Sequence, residues 1–170
     1  MNLKDINYVD YGKNIKGTIV LLHGWGQNIE MMMPLGNNLP NYHITIVDFP
    51  GFGKSSEPKT SYTIYDYVEW LEELLKELNI HKPIIMGHSF GGRVAILYAS
   101  RNPVEKLVLF GAPCIRHEHK SLKENILKGI KKLPGMNKLG EYAKNHIGSP
   151  DYRNASPIMR ETLVKIVNED

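Results

Sequence analysis

One serine in this sequence has the surroundings of a nucleophile. Residues 87–91 read Gly-His-Ser-Phe-Gly, the pattern G-x-S-x-G, with Ser89 at its centre. A short apolar run, 83–86, precedes the pattern, and a stretch with helical character, 90–101, follows it. A serine on a tight strand-to-helix turn is lifted above the sheet, where its hydroxyl can attack a carbonyl carbon. The sequence therefore predicts nucleophilic acyl chemistry at Ser89.

Two glycines flank this serine at equal distances. A larger side chain at Gly87 or Gly91 would collide with the turn, which explains why the pattern needs glycine there. The backbone N–H groups at the start of the following helix, together with the helix dipole, favour a negatively charged oxygen. The spacing therefore indicates a turn that holds a nucleophile beside hydrogen-bond donors for an oxyanion.

Two glycine-containing loops precede the serine pattern. His23-Gly24-Trp25-Gly26 follows the apolar run 18–22 and can present a backbone N–H group toward the serine. Residues 48–55, Asp-Phe-Pro-Gly-Phe-Gly-Lys-Ser, follow the apolar run 44–47. The second loop superficially resembles a phosphate-binding loop. Position 48 is Asp where G-x-x-x-x-G-K-[ST] needs glycine, so we reject that interpretation.

Strand and helix patterns alternate along the first part of the chain. A capping-box pattern at Thr63 and Asp66 predicts the start of a helix. The alternation predicts an α/β fold with a mostly parallel sheet and flanking helices. The predicted strands are 6–11, 18–22, 44–47, 83–86 and 107–110, and the predicted helices between them begin near residues 63 and 90.

Composition limits the function classes. The chain has 170 residues, 42% hydrophobic residues and a formal net charge of +3, which fits a globular protein and favours no nucleic-acid partner. Cys114 is the single cysteine, so no disulfide can form within the chain. No apolar run is long enough to span a membrane, and no signal-peptide pattern is found. We expect a cytoplasmic protein with no cofactor, no metal and no membrane partner.

The order of the three motifs resembles the α/β-hydrolase superfamily, and within it small esterases and carbon–carbon bond hydrolases that carry a helical lid. The resemblance implies that Ser89 is the nucleophile and that the backbone N–H groups of Trp25 and Phe90 form the oxyanion hole. Serine at position 89 argues against the dehalogenase and epoxide-hydrolase branches, which place a carboxylate there. Structural or site-lining roles are implied for His23, Gly24, Gly26, Gly87, His88 and Gly91.

The same resemblance implies a division of the chain at residue 114. Residues 1–114 correspond to the N-terminal part of the hydrolase core and residues 115–170 to a lid with helices at 120–133, 138–146 and 158–167. In the family, the acid and the base follow the nucleophile on loops after later strands. Residues 107–110 correspond to strand six, so we expect a truncated core that lacks its last strands. His117, His119 and His146 are the remaining candidates for a base.

We therefore expect a serine hydrolase of small ester or thioester acyl substrates, impaired in this chain because its acid and base are missing. The alternative is a non-catalytic module that binds ligands or assembles with itself. The strand at 107–110 would be an exposed apolar edge, which favours pairing with another chain. We expect self-association, or a missing C-terminal half, to cover this edge.

Overall fold

The structure is a computed structural model that describes residues 5–13, 15–113 and 150–169. Within these ranges strands and helices alternate up to residue 110, and two helices follow. The strands are β1 (Tyr8–Gly12), β2 (Thr18–Leu22), β3 (His43–Val47), β4 (Ile84–His88) and β5 (Lys106–Phe110). The helices are α1 (Ile29–Asn37), α2 (Ile64–Glu77), α3 (Phe90–Arg101), α4 (Pro150–Asn154) and α5 (Pro157–Asn168).

The strands form one mostly parallel sheet in the order β1-β3-β2-β4-β5. β2 pairs in parallel with β3 and β4, β4 pairs in parallel with β5, and β1 runs antiparallel to β3. The predicted α/β class with flanking helices is confirmed. β2, β3 and β4 run in the same direction, so their carboxyl ends lie at the same end of the sheet. The three motif loops that follow these strands therefore meet there.

Helices cover both faces of the sheet. Ile19 and Leu21 of β2 pack into an apolar cluster with Ile29 and Met32 of α1. Val20 and Leu22 point to the opposite face, because side chains alternate along a strand. There they join a larger cluster with residues of α2, α3 and α5. The central strands are therefore buried on both sides, which explains their continuous apolar sequences.

Local signals account for the helix starts. Thr63 and Asp66 form the predicted capping box at α2: the Thr63 side chain accepts from the Asp66 N–H, and the Asp66 carboxylate accepts from the Thr63 N–H at 2.6 Å. Ser156 caps α5, with Pro157 in its first turn, which matches the helix predicted at 158–167. The helices predicted at 120–133 and 138–146 lie outside the described residues.

β5 lies at one edge of the sheet and, among the described residues, pairs with β4 alone. Leu107 and Leu109 are each 37% exposed, and Phe110 is 40% exposed. β2 and β3, by contrast, are almost completely buried. β5 therefore presents apolar side chains to solvent beside a strand edge.

Candidate active site

Ser89 occupies a strained turn between β4 and α3. Its backbone has φ +50° and ψ −113°, a conformation that non-glycine residues rarely adopt. The turn is held by the Ser89 N–H, which donates to the Phe110 carbonyl at 2.9 Å, and by the Gly92 N–H, which donates to the Ser89 carbonyl at 3.0 Å. The Ser89 side chain caps no N–H group of α3 and is half-buried. Its hydroxyl is therefore not used to hold the helix.

The two flanking glycines are needed for steric reasons. A Cβ atom at Gly87 would lie 2.5 Å from the Gly91 carbonyl oxygen. A Cβ atom at Gly91 would lie 2.5 Å from the His23 oxygen and 2.6 Å from the Leu22 oxygen. Real Cβ atoms do not approach so closely. The glycines therefore let α3 start against the end of β2, which brings the loop containing Trp25 next to Ser89.

The backbone N–H groups of the two predicted oxyanion donors have no acceptor within the described part of the chain. They belong to Phe90, the first residue of α3, and to Trp25 in the neighbouring loop. The Trp25 and Phe90 rings pack edge to face, with centroids 5.5 Å apart. Donors that are not used within the protein can bind an oxygen that gains negative charge. The arrangement is the one expected for the predicted oxyanion donors, whose role stays a prediction.

His23 is buried and joins two loops. Its Nδ1–H donates to the Gly24 carbonyl at 2.7 Å, and its Nε2 accepts from the Phe49 N–H at 3.1 Å, so these partners assign the neutral tautomer. Burial lowers the pKa of His23; its hydrogen bond to Gly24 and the charge of Asp48 oppose this shift. Both ring nitrogens are occupied. His23 therefore acts as a structural link and does not face Ser89 as a base.

His88 is held by a residue that the sequence analysis did not identify. The Gln27 side-chain oxygen lies 3.0 Å from His88 Nδ1 and accepts from the Gly24 N–H at 3.0 Å. Because this oxygen only accepts, His88 Nδ1 carries the proton. Gln27 thus ties the Trp25 loop to the residue before Ser89. No pattern in the sequence distinguishes it from other polar loop residues.

Asp48 is a second residue that holds loops together through hydrogen bonds, and the sequence analysis treated it only as part of a motif. Its buried carboxylate accepts from the Ile29 N–H at 2.7 Å, the Lys54 N–H at 2.9 Å and the Asn7 side-chain amide at 2.6 Å. It therefore fixes the loop after β3 to the start of α1. An acidic residue directly after a buried strand was the signal that could have identified it.

A cavity of about 500 Å³ lies beside the Trp25 loop. Its walls come from the loops after β2 and β3 and from the segment around the start of α5. Ser89 is not among the described residues that line it; Trp25, whose ring contacts Phe90, connects the cavity with the turn at Ser89. The side chains that shape it include Trp25, Phe52, Glu57, Asn154, Ser156 and Met159.

No described histidine or carboxylate forms a hydrogen bond with the Ser89 hydroxyl. His43 lies 3.3 Å from Asp10, and His81 lies 2.9 Å from Asn79. His43 is the first residue of β3 and His81 precedes β4, so both lie at the amino ends of strands, whereas Ser89 follows the carboxyl end of β4. The candidate bases His117, His119 and His146 lie outside the described residues.

Residues 5–13, 15–113 and 150–169 contain neither a candidate metal site nor a candidate membrane span. No group of three or more His, Cys, Asp or Glu side chains is placed to hold a metal ion in these ranges. None of the helices there combines the length and apolarity needed to cross a bilayer.

Residues 17–139 match the family described as alpha/beta hydrolase fold. A pimeloyl-[acyl-carrier protein] methyl ester esterase of Shewanella woodyi is 37% identical over 99 residues, which are 56% of this chain and 36% of that protein. A haloalkane dehalogenase of Psychrobacter cryohalolentis is 27% identical over 103 residues, 58% of this chain and 34% of that protein. The chain thus spans about a third of the length of these two relatives.

Solved structures share the fold. An esterase from Exiguobacterium antarcticum superimposes with a TM-score of 0.68 at 24% identity, over 97% of this chain and 70% of the esterase. At this identity the likeness concerns the fold alone. The superposition includes nearly all of the chain, so the two proteins share the order and arrangement of their strands and helices.

Proposed function

This chain belongs to the alpha/beta hydrolase family, and we propose that it carries the nucleophile of a serine hydrolase for small ester or thioester acyl substrates. The observation that supports this most directly is the backbone of Ser89. Its φ of +50° sets it apart from the strand and helix on either side, and the N–H groups of Phe90 and Trp25, whose rings contact each other, have no described acceptor. Residues in sparsely populated backbone conformations cluster at functional sites, which supports a functional role for this turn.

The proposed reaction begins with attack of the Ser89 oxygen on the carbonyl carbon of the substrate. As the new C–O bond forms, the carbonyl oxygen becomes negative and accepts hydrogen bonds from the Trp25 and Phe90 N–H groups. The alcohol or thiol then leaves with a proton, and an acyl group remains on Ser89. Water completes hydrolysis and restores the serine.

The chemistry at position 89 separates two kinds of relative. One matched relative is named a haloalkane dehalogenase. The dehalogenase branch uses a carboxylate nucleophile, whereas this chain has a serine hydroxyl at position 89. The matched esterase from Shewanella woodyi acts on a methyl ester, according to its name. We therefore place the activity of this chain with ester-type substrates rather than with alkyl halides.

Attack by Ser89 needs a base for the hydroxyl proton. We propose that the base comes from outside the described residues, with His117, His119 and His146 or a second polypeptide as the candidates. Without that base we expect acylation of Ser89 to be slow. The non-catalytic alternative, a ligand-binding or self-assembling module, is supported by the cavity beside Trp25 and the exposed edge of β5.

The test is acylation of Ser89 itself. The protein is incubated with p-nitrophenyl butyrate or a fluorophosphonate probe, with and without imidazole as an external base, and the adduct is located by peptide mass spectrometry. We expect an adduct on Ser89 that imidazole accelerates and that Ser89→Ala abolishes. The same adduct yield in Ser89→Ala, or no adduct under either condition, would overturn the proposal and favour the non-catalytic module.

A further inference from the structure

We propose that the cavity beside Trp25 prefers ligands with an ammonium group over ligands with a carboxylate, and that Glu57 sets this preference. The proposal rests on the proposed function in taking this cavity as the place where part of the substrate binds. It adds a substrate class: esters or thioesters with an apolar chain that ends in a positively charged nitrogen.

The walls of the cavity can hold an apolar chain. Trp25 and Phe52 pack edge to face with centroids 4.7 Å apart, and both line the cavity. Met159 of α5, a buried side chain, also lines the cavity and packs against Gly51. A volume of about 500 Å³ lies within the range of small-molecule sites. The faces of aromatic rings also attract cations more than they attract anions.

Glu57 is the only charged side chain among the described residues that line the cavity. Within the described part of the chain, no lysine, arginine or histidine lies within ion-pair distance of it. The remaining polar lining side chains, Asn154 and Ser156, are neutral. Among the described lining residues the only formal charge is therefore negative. A carboxylate would meet repulsion from Glu57, and an ammonium would gain a partner.

The neighbouring cations on α5 are engaged elsewhere. The Arg160 guanidinium donates to the Tyr152 carbonyl at 3.0 Å, and the Lys165 ammonium donates to the Ser61 hydroxyl at 2.6 Å. Neither lines the cavity. Among the described residues no ion pair neutralises Glu57. Because Glu57 is exposed, we expect a preference of about fivefold at low salt, which falls as salt is added.

Binding can be measured without turnover, so a failure here is distinct from a failure of the proposed function. Trp25 and Trp70 are the two tryptophans of the chain, and only Trp25 lines this cavity. The indole N–H signals of ¹⁵N-labelled protein are followed by NMR during titration with hexylammonium and, separately, with hexanoate. We expect the Trp25 signal to move with a Kd for hexylammonium about five times lower than that for hexanoate.

Two variants complete the experiment. Glu57→Gln is expected to abolish the preference, while Glu69→Gln, which removes the same charge from α2, is expected to leave it unchanged. Trp70 lines a smaller cavity with Asp66, Glu69 and Glu73, so its signal reports separately on ammonium that binds there. Equal affinity for the two probes, a preference that survives Glu57→Gln, or a titration that moves Trp70 instead of Trp25 would overturn the proposal.

Discussion

The strain at Ser89 has to be offset by its neighbours. A non-glycine residue at positive φ costs about 1–3 kcal/mol, and the surrounding contacts must hold it in place. The Ser89 N–H and carbonyl are both hydrogen-bonded, and Gly87 and Gly91 allow close contact between β4, α3 and the end of β2. His23 supports the adjoining loop through both ring nitrogens. The turn is thus maintained by buried residues that do not themselves react.

His23 gives the folded state a pH dependence of defined sign. Its pKa is lowered by burial, so in acid the unfolded chain binds a proton more readily than the folded chain. Neutral His23 therefore contributes fully to the free energy of unfolding above the unfolded pKa of about 6.5. This contribution is lost as pH falls below that value, by at most about 1.4 kcal/mol per pH unit. Urea unfolding of the wild type and of His23→Gln across this range measures the difference in slope. Parallel pH profiles for the two proteins would contradict this account.

At the scale of elements, α5 is bound to the core by side chains far away in the sequence. The Arg93 guanidinium, on α3 just after the Ser89 turn, donates to the Ile166 carbonyl at 2.8 Å and the Glu169 carbonyl at 2.9 Å. Buried Thr162 accepts from the Tyr62 N–H at 3.0 Å. The C-terminal carbonyls of α5, which lack partners within the helix, are thus satisfied by a charged group. This docking positions Met159 at the cavity.

Removal of the Arg93 guanidinium should loosen α5 selectively. Hydrogen bonds from a charged group contribute about 1.5–3 kcal/mol each. We therefore expect Arg93→Met to increase amide exchange in α5 by at least about tenfold, while β2 and β4 stay protected. Hydrogen exchange with mass spectrometry measures both regions in one sample. Arg101→Met, on the same helix, is the control, because Arg101 lies over the Tyr65 ring and not at α5. Unchanged exchange in α5 would show that apolar packing alone holds it.

At the scale of the whole molecule, the two edges of the sheet differ. β1 forms one edge and pairs antiparallel with β3, and its side chains Tyr8, Val9 and Tyr11 are half-buried. At the other edge, β5 exposes Leu107, Leu109 and Phe110 and has no second partner strand among the described residues. An unpaired apolar edge favours association with another polypeptide. The self-association predicted from the sequence remains a proposal, and this edge is the place where it would occur.

A charge on this edge should reduce association. We expect the wild type to form dimers or larger species as its concentration increases, and Leu107→Lys to shift the equilibrium toward the monomer, because a lysine on an edge strand opposes strand pairing. Sedimentation velocity over a concentration series measures the change. Val167→Lys, at an exposed apolar position of α5, controls for the added charge. If the wild type stays monomeric, or if both variants behave alike, association through β5 is excluded.

Much of the fold follows from local patterns. The apolar runs at β2, β3 and β4 and the capping box at Thr63 predicted the elements to within about two residues, because strand burial and helix capping act over a few positions. The functions of Gln27 and Asp48 were not predicted, nor were the two carbonyls, of Ile166 and Glu169, to which Arg93 donates. Besides contacts within its own loop, each of these residues forms a hydrogen bond with a partner that lies 19 or more residues away in the chain. Single-sequence patterns contain no information about such pairs.

The sequence by itself determined the strand–serine–helix turn, the α/β class and the family resemblance, since these depend on residue type at short spacing. Tertiary structure alone decided that α5 packs on the same core as α2 and α3 and that Arg93 binds its C-terminal end. It also decided that Glu57 is the single charged side chain among the described residues that line the cavity. The physical reason is that packing and electrostatic fields depend on distances in space. Those distances are set only when all helices and strands have packed together in the folded protein.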